Sequence, residues 1–171
     1  MTIDDSLTAY IASQKTVAIA FLVLSSVLIA SSLAIYLLSE PSRFLQGYKI
    51  GALIFGVLIA VGGGTYLFTN ARTHDKLKAA HKANPGEFVS SEQKRMAKVV
   101  KGFPVYQYVG SAFILVALGI ILFAGRPFWS GIAIAVAFHF LGFMFVELVS
   151  HSSIKQHHDY ILTASVTSKT S

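Results

Sequence analysis

The chain has 171 residues, no cysteine, 54% hydrophobic residues, only 13% charged residues and a formal net charge of +6. Soluble domains carry about a quarter charged residues, whereas here the mean hydropathy is +0.62 and the apolar residues gather in long blocks. These figures exclude an ordinary soluble enzyme as the default and point to an integral membrane protein. The lack of cysteine excludes disulfides, cysteine-bound zinc, iron–sulfur clusters and thiol nucleophiles.

In chain order, residues 1–16 form a polar lead in which Ile3, Leu7, Tyr10 and Ile11 fall at helical spacing, with Thr2 or Asp4 as the cap. The lead reads as a small helix lying at the membrane interface. Four apolar blocks follow, at about 17–38, 50–68, 105–124 and 128–149. A helix needs about 20 apolar residues to cross the hydrocarbon core. Lipid offers no partner to a free backbone group, so each block is expected to be helical. Asp4, Asp5 and the length of the first block argue against a cleaved signal peptide.

Segment 69–104 is expected to be a helical hairpin. Asn84-Pro85-Gly86 marks the turn, and Ser90 with Gln93 reads as a capping box opening the second arm. Leu77, Ala80 and Ala83 on one arm and Met96, Val99, Val100 and Phe103 on the other have helical spacing. Spans two and three would thus continue past the membrane for roughly 15 Å, packed on each other and kinked at Pro104. The outer connections are short, so the expected fold is an all-α, up-down-up-down integral membrane four-helix bundle with a cytoplasmic hairpin, one domain over 1–171. The tail, 150–171, is Ser/Thr-rich from Thr163 and expected to be disordered there. Eleven lysines and arginines fall with the termini and the hairpin against three (Arg43, Lys49, Arg126) on the opposite side, which predicts cytoplasmic termini.

Small residues mark helix contacts: Gly47 and Gly51 at the start of span two, Gly56 and Gly63 within it, and Ser25, Ser26, Ser31 and Ser32 in span one. Gly56, Gly63 and Ser31, with His139 as a polar contact, are the candidate contacts for a membrane partner. His139 lies near the middle of span four, where an ionisable group is costly and faces the bundle interior; a span-one serine or a backbone carbonyl is its expected partner. Glu147 lies eight residues on and is expected to pair with His151 or Lys155. His151, His157 and His158 match no metal-ligand spacing, and one core histidine cannot supply two axial haem ligands, so neither metal nor cofactor is expected. Arg72, Lys76, Lys94, Arg95 and Lys98 give the hairpin a basic surface suited to anionic lipid, at about 1 kcal/mol each. No recognition fold accompanies that charge, so nucleic acid is not an expected partner.

Residues Glu92-Gln93-Lys94-Arg95-Met96-Ala97-Lys98-Val99-Val100, followed by Phe103-Pro104-Val105-Tyr106 entering a span, resemble small bacterial inner-membrane proteins with four spans and a charged central hairpin. The resemblance covers about residues 65–150. It implies a bacterial inner-membrane location and, as in some of those proteins, a non-enzymatic role as an immunity protein that binds and neutralises a pore-forming toxin. The alternative read from the residues is a small transporter or channel subunit using His139 and Glu147, or an accessory subunit of a membrane complex.

Overall fold

A computed structural model describes residues 2–40 and 42–170, with side chains up to 164. The chain is four long helices: α1 (Ile3–Leu38), α2 (Arg43–Ala83), α3 (Pro85–Phe123) and α4 (Pro127–Thr170). All four are long and apolar enough to cross a membrane. Their lengths, 36 to 44 residues, correspond to about 54–66 Å, roughly twice a hydrocarbon core. Each therefore has an apolar stretch and a polar extension.

Local chemistry sets the ends. Thr2 caps α1 with a full capping box: its hydroxyl accepts from Asp5 N–H, and the Asp5 carboxylate accepts from Thr2 N–H. Asn84 alone separates α2 from α3, closing the first as its C-cap and accepting from Glu87 N–H as the N-cap of the second. Pro85 takes the first helical position, where its missing N–H costs nothing. Consequently α3 starts before Ser90, and the capping box expected at Ser90 and Gln93 is not used; the Ser90 hydroxyl instead donates to the Glu87 carbonyl. Between α3 and α4 the turn passes through Gly125 at φ +58°, a left-handed conformation that favours glycine.

Helix α4 makes contact with all three others, whereas α2 and α3 barely touch. Along α1 and α2, Ser32 Oγ donates to Lys49 O, Ser25 Oγ to Gly56 O and Tyr66 to Gln14. Between α2 and α4 the backbones approach so closely that a Cβ at Gly47 would lie 1.9 Å from Phe128 O, and one at Gly131 2.1 Å from Phe44 O. Gly51 stacks over Ala135 in the same seam. Glycine is needed there because any side chain would meet main chain, which cannot step aside.

The core falls into two clusters. Leu28, Ala52, Ile59 and Ala135 pack among α1, α2 and α4 in the apolar part. The second, at the end that carries both termini, joins Leu7 and Tyr10 of α1, Phe88, Val89, Met96 and Phe103 of α3, and Ile154 and Ile161 of α4, with Leu77 of α2 against them. This cluster corrects two expectations. Residues 3–16 are not a separate interfacial helix but the first turns of α1, with Ser6, Leu7, Tyr10 and Gln14 buried. The two arms of 69–104 do not chiefly pack on each other; their apolar faces meet α1 and α4. Helix α4 is anchored by Ile154 and Ile161, one heptad apart; the disorder expected from Thr163 lies largely outside the fully described residues.

Candidate functional site

A cavity of about 690 Å³ lies among the four helices, between the two core clusters. Its apolar end is ringed by Phe21, Phe55, Phe140 and Phe143, and the other end by Tyr10, Arg95, Lys98 and Ile154. His139 and Glu147, two turns apart on α4 and separated by about 12 Å along its axis, both line it. Gln14 of α1 and Asn70 of α2 line it as well.

These four polar residues share one property. Gln14 Nε2, Asn70 Nδ2, His139 Nδ1 and Glu147 Oε2 are buried polar atoms with no hydrogen-bond partner among the described residues. An unpaired buried polar atom costs about 1–3 kcal/mol, and native structures hold few of them. Four of them belong to residues that line one cavity, where a polar guest would satisfy them.

The structure corrects the expected partners of both α4 residues. His139 bonds to no span-one serine: its ring stacks on Phe55 of α2 at 5.0 Å and meets Phe140 edge-on at 4.7 Å, and those serines are spent elsewhere. Ser25 and Ser32 donate to α2 carbonyls, and Ser31 donates to Leu28 O and lies 3.2 Å from Tyr48 Oη. Glu147 pairs with neither His151, whose ring lies against Phe103, nor Lys155. Nor do the proposed partner contacts stay free. Gly56 is buried against Leu28 and Ile29, and Gly63 against Phe21 and Leu22, so α1 already occupies both.

Of the basic residues, Arg72, Lys76, Lys94 and Lys98 are exposed, with Arg72 also lying over the Phe68 ring at 4.2 Å. Arg95 is not part of that surface. Its Nη2 and Nε donate to the two oxygens of Glu92 at 2.6 and 2.7 Å, and Nη1 to Tyr10 Oη at 3.4 Å. Glu92 is itself 1% exposed and also lies 3.1 Å from His157 Nε2; His157 Nδ1 sits 2.8 Å from Ser6 Oγ. The His157 ring stacks on Tyr10 at 4.8 Å. Burial by itself would raise the Glu92 carboxyl, but hydrogen bonds from Arg95 and His157 outweigh it and hold the group down to about 2.

Serine, histidine and carboxylate in a row can activate a nucleophile. Here Ser6 is 1% exposed and outside the cavity lining, and Glu92 is neutralised by Arg95. The chain is a structural clamp tying α1, α3 and α4 together at the terminal end. Sequence spacing did not reveal it, since Ser6, Glu92 and His157 lie up to 151 positions apart. Among the described residues no group of three or more histidines and carboxylates is placed to hold a metal ion. No family model, curated protein or solved structure matches the chain.

Proposed function

We propose that this is a multi-pass membrane protein of up-down-up-down topology with both termini and the basic 69–104 segment on the cytoplasmic side, acting as a small transporter or carrier whose binding site is the cavity lined by His139 and Glu147. The orientation rests on the eleven-to-three distribution of lysine and arginine. The binding role rests on one observation: of the five buried polar atoms without a hydrogen-bond partner among the described residues, four, on three helices, belong to residues lining one cavity, His81 Nδ1 being the exception. Its volume lies in the range of small-molecule sites, about 300–1,000 Å³. The action is non-covalent.

Thermal unfolding of the purified protein in detergent with oleate, decylubiquinone or tetraphenylphosphonium tests this reading. A ligand at a hundred times its Kd stabilises by about 2.7 kcal/mol. At least one of the three should raise the melting temperature of the wild type, and His139→Leu should abolish the rise while inserting normally. No rise with any of them contradicts a binding cavity.

The second reading is a bacterial inner-membrane immunity protein that blocks a pore-forming toxin. It draws on the resemblance of residues 65–150 and on the apolar surface that α1 and α3 turn outward, Val23, Val27, Leu115 and Val116 among it. With Gly56, Gly63 and Ser31 engaged inside the chain, a toxin helix would dock on that outer surface. Unchanged sensitivity to the cognate toxin after the gene is removed contradicts it.

A further inference from the structure

The cavity has a side opening. Leu58 and Gly62 of α2 and Gly102 and Tyr106 of α3 line it, and among them Leu58 is 60% and Tyr106 54% exposed. These residues face the gap where α2 and α3 barely touch. A Cβ placed on Gly62 would meet nothing within 4 Å, so that stretch of the rim is open space. Leu58 and Gly62 belong to the apolar stretch of α2, so a molecule dissolved in lipid reaches the cavity sideways without crossing water.

The interior then selects by charge. Glu147 is the one acidic residue in the lining, and its Oε2 has no hydrogen-bond partner. The two cations in the lining do not pair with it: Arg95 is held by both oxygens of Glu92, and among the described residues Lys98 forms no ion pair with Glu147. Aromatic rings line much of the same cavity, Phe21, Phe140, Phe143 and Tyr66 among them. Aromatic faces attract cations by about 0.5–2 kcal/mol each, most when water is excluded. An unpaired carboxylate in a cavity lined largely by aromatic rings complements a cation that carries its own apolar surface.

We propose that the cavity takes a hydrophobic organic cation, which enters from the lipid between α2 and α3 and settles with its charge against Glu147 and its apolar groups among the phenylalanines. The proposal deepens the carrier reading and rests on it. Isothermal titration of the purified full chain in lipid nanodiscs with tetraphenylphosphonium, and with tetraphenylborate as a probe of the same shape and opposite charge, tests it. Tetraphenylphosphonium should bind saturably at one per chain and tetraphenylborate should not. Glu147→Gln should weaken the phosphonium at least tenfold, Glu147→Asp should retain most of the affinity, and Gly62→Trp should block access. Should Glu147→Gln fail to fold, the comparison of the two probes on the wild type still decides. Borate binding as tightly as phosphonium, or Glu147→Gln within twofold of wild type, overturns the cation assignment. If a neutral or anionic probe binds and is blocked by Gly62→Trp, the cavity reading survives without the cation; if nothing binds, both fall.

Discussion

Replacing Arg95 by alanine isolates the clamp at the terminal end of the bundle. Glu92 is 1% exposed, and Arg95 supplies two of its three short contacts, at 2.6 and 2.7 Å. Removing the guanidinium leaves a buried carboxylate with only His157 beside it. Loss of one member of a buried pair costs about 3–5 kcal/mol, most of it the penalty of the charge left behind. The apolar parts of the helices do not depend on this pair, so the expected effect is local opening of α1 from α3 and α4 at the terminal end. Hydrogen exchange at residues 6–12 and 154–161 reads that opening. At 1.4 kcal/mol per tenfold, exchange in Arg95→Ala should quicken by roughly two to three and a half decades, with 20–32 unchanged. Lys98→Ala, three positions on and exposed, serves as the control and should stay within about 0.5 kcal/mol of wild type. Equal exchange in the two variants would refute the clamp.

Further expectations follow from the same contacts. The Glu92 carboxyl is held near 2 against an ordinary value of 4.5. Its contribution, roughly 3 kcal/mol, is therefore complete above pH 4.5 and is lost as the pH falls from there toward 2, because the unfolded chain takes up the proton first. Melting curves between pH 7 and pH 2.5 should show that decline in the wild type and a shallower one in Glu92→Gln. Met96 is fully buried in the terminal cluster, so Met96→Ala should cost about 2–5 kcal/mol in the same exchange measurement. At the α2–α4 seam, Gly131→Val drives a side chain into Phe44 O and Tyr48 N and should prevent stable folding, read as loss of a monodisperse peak on size exclusion. Gly64→Ala, which meets nothing within 4 Å, should elute as wild type.

Much of the fold was legible in the residues. Long apolar blocks can only be helices in lipid, and their spacing marked four of them; Thr2 as a cap and Gly47 and Gly51 as close-approach positions were also readable from chemistry alone. The site was legible only in part. His139 and Glu147 stood out because ionisable groups are rare at those depths, but their shared cavity depends on how far α2 stands from α3, which no periodicity records. Gly131 carries the partner half of the α2 seam and was passed over, although Gly131-xxx-Ala135 repeats the small-xxx-small spacing of Gly47 and Gly51. Gln14 and Asn70 flank the apolar blocks in sequence with no pattern that singles them out, and only the bundle brings both to the cavity. Arg95 reads in the sequence as part of a basic surface, and Glu92, three positions before it, carries no signal of burial. Their i,i+3 spacing permits a salt bridge, but its burial comes from Tyr10 and His157, at the far ends of the sequence.

The most direct test of the account is whether His139 faces a cavity that polar groups share at membrane depth. The chain has no native cysteine, so single cysteines can be introduced without further change. A thiol reacts as its thiolate, which forms only where water or polar groups reach it. In membrane vesicles, His139→Cys should be alkylated by N-ethylmaleimide, whereas Phe138→Cys, one residue away and exposed on the lipid-facing side, should stay unmodified. Equal labelling of the two positions, or labelling of Phe138→Cys alone, would contradict a cavity at His139.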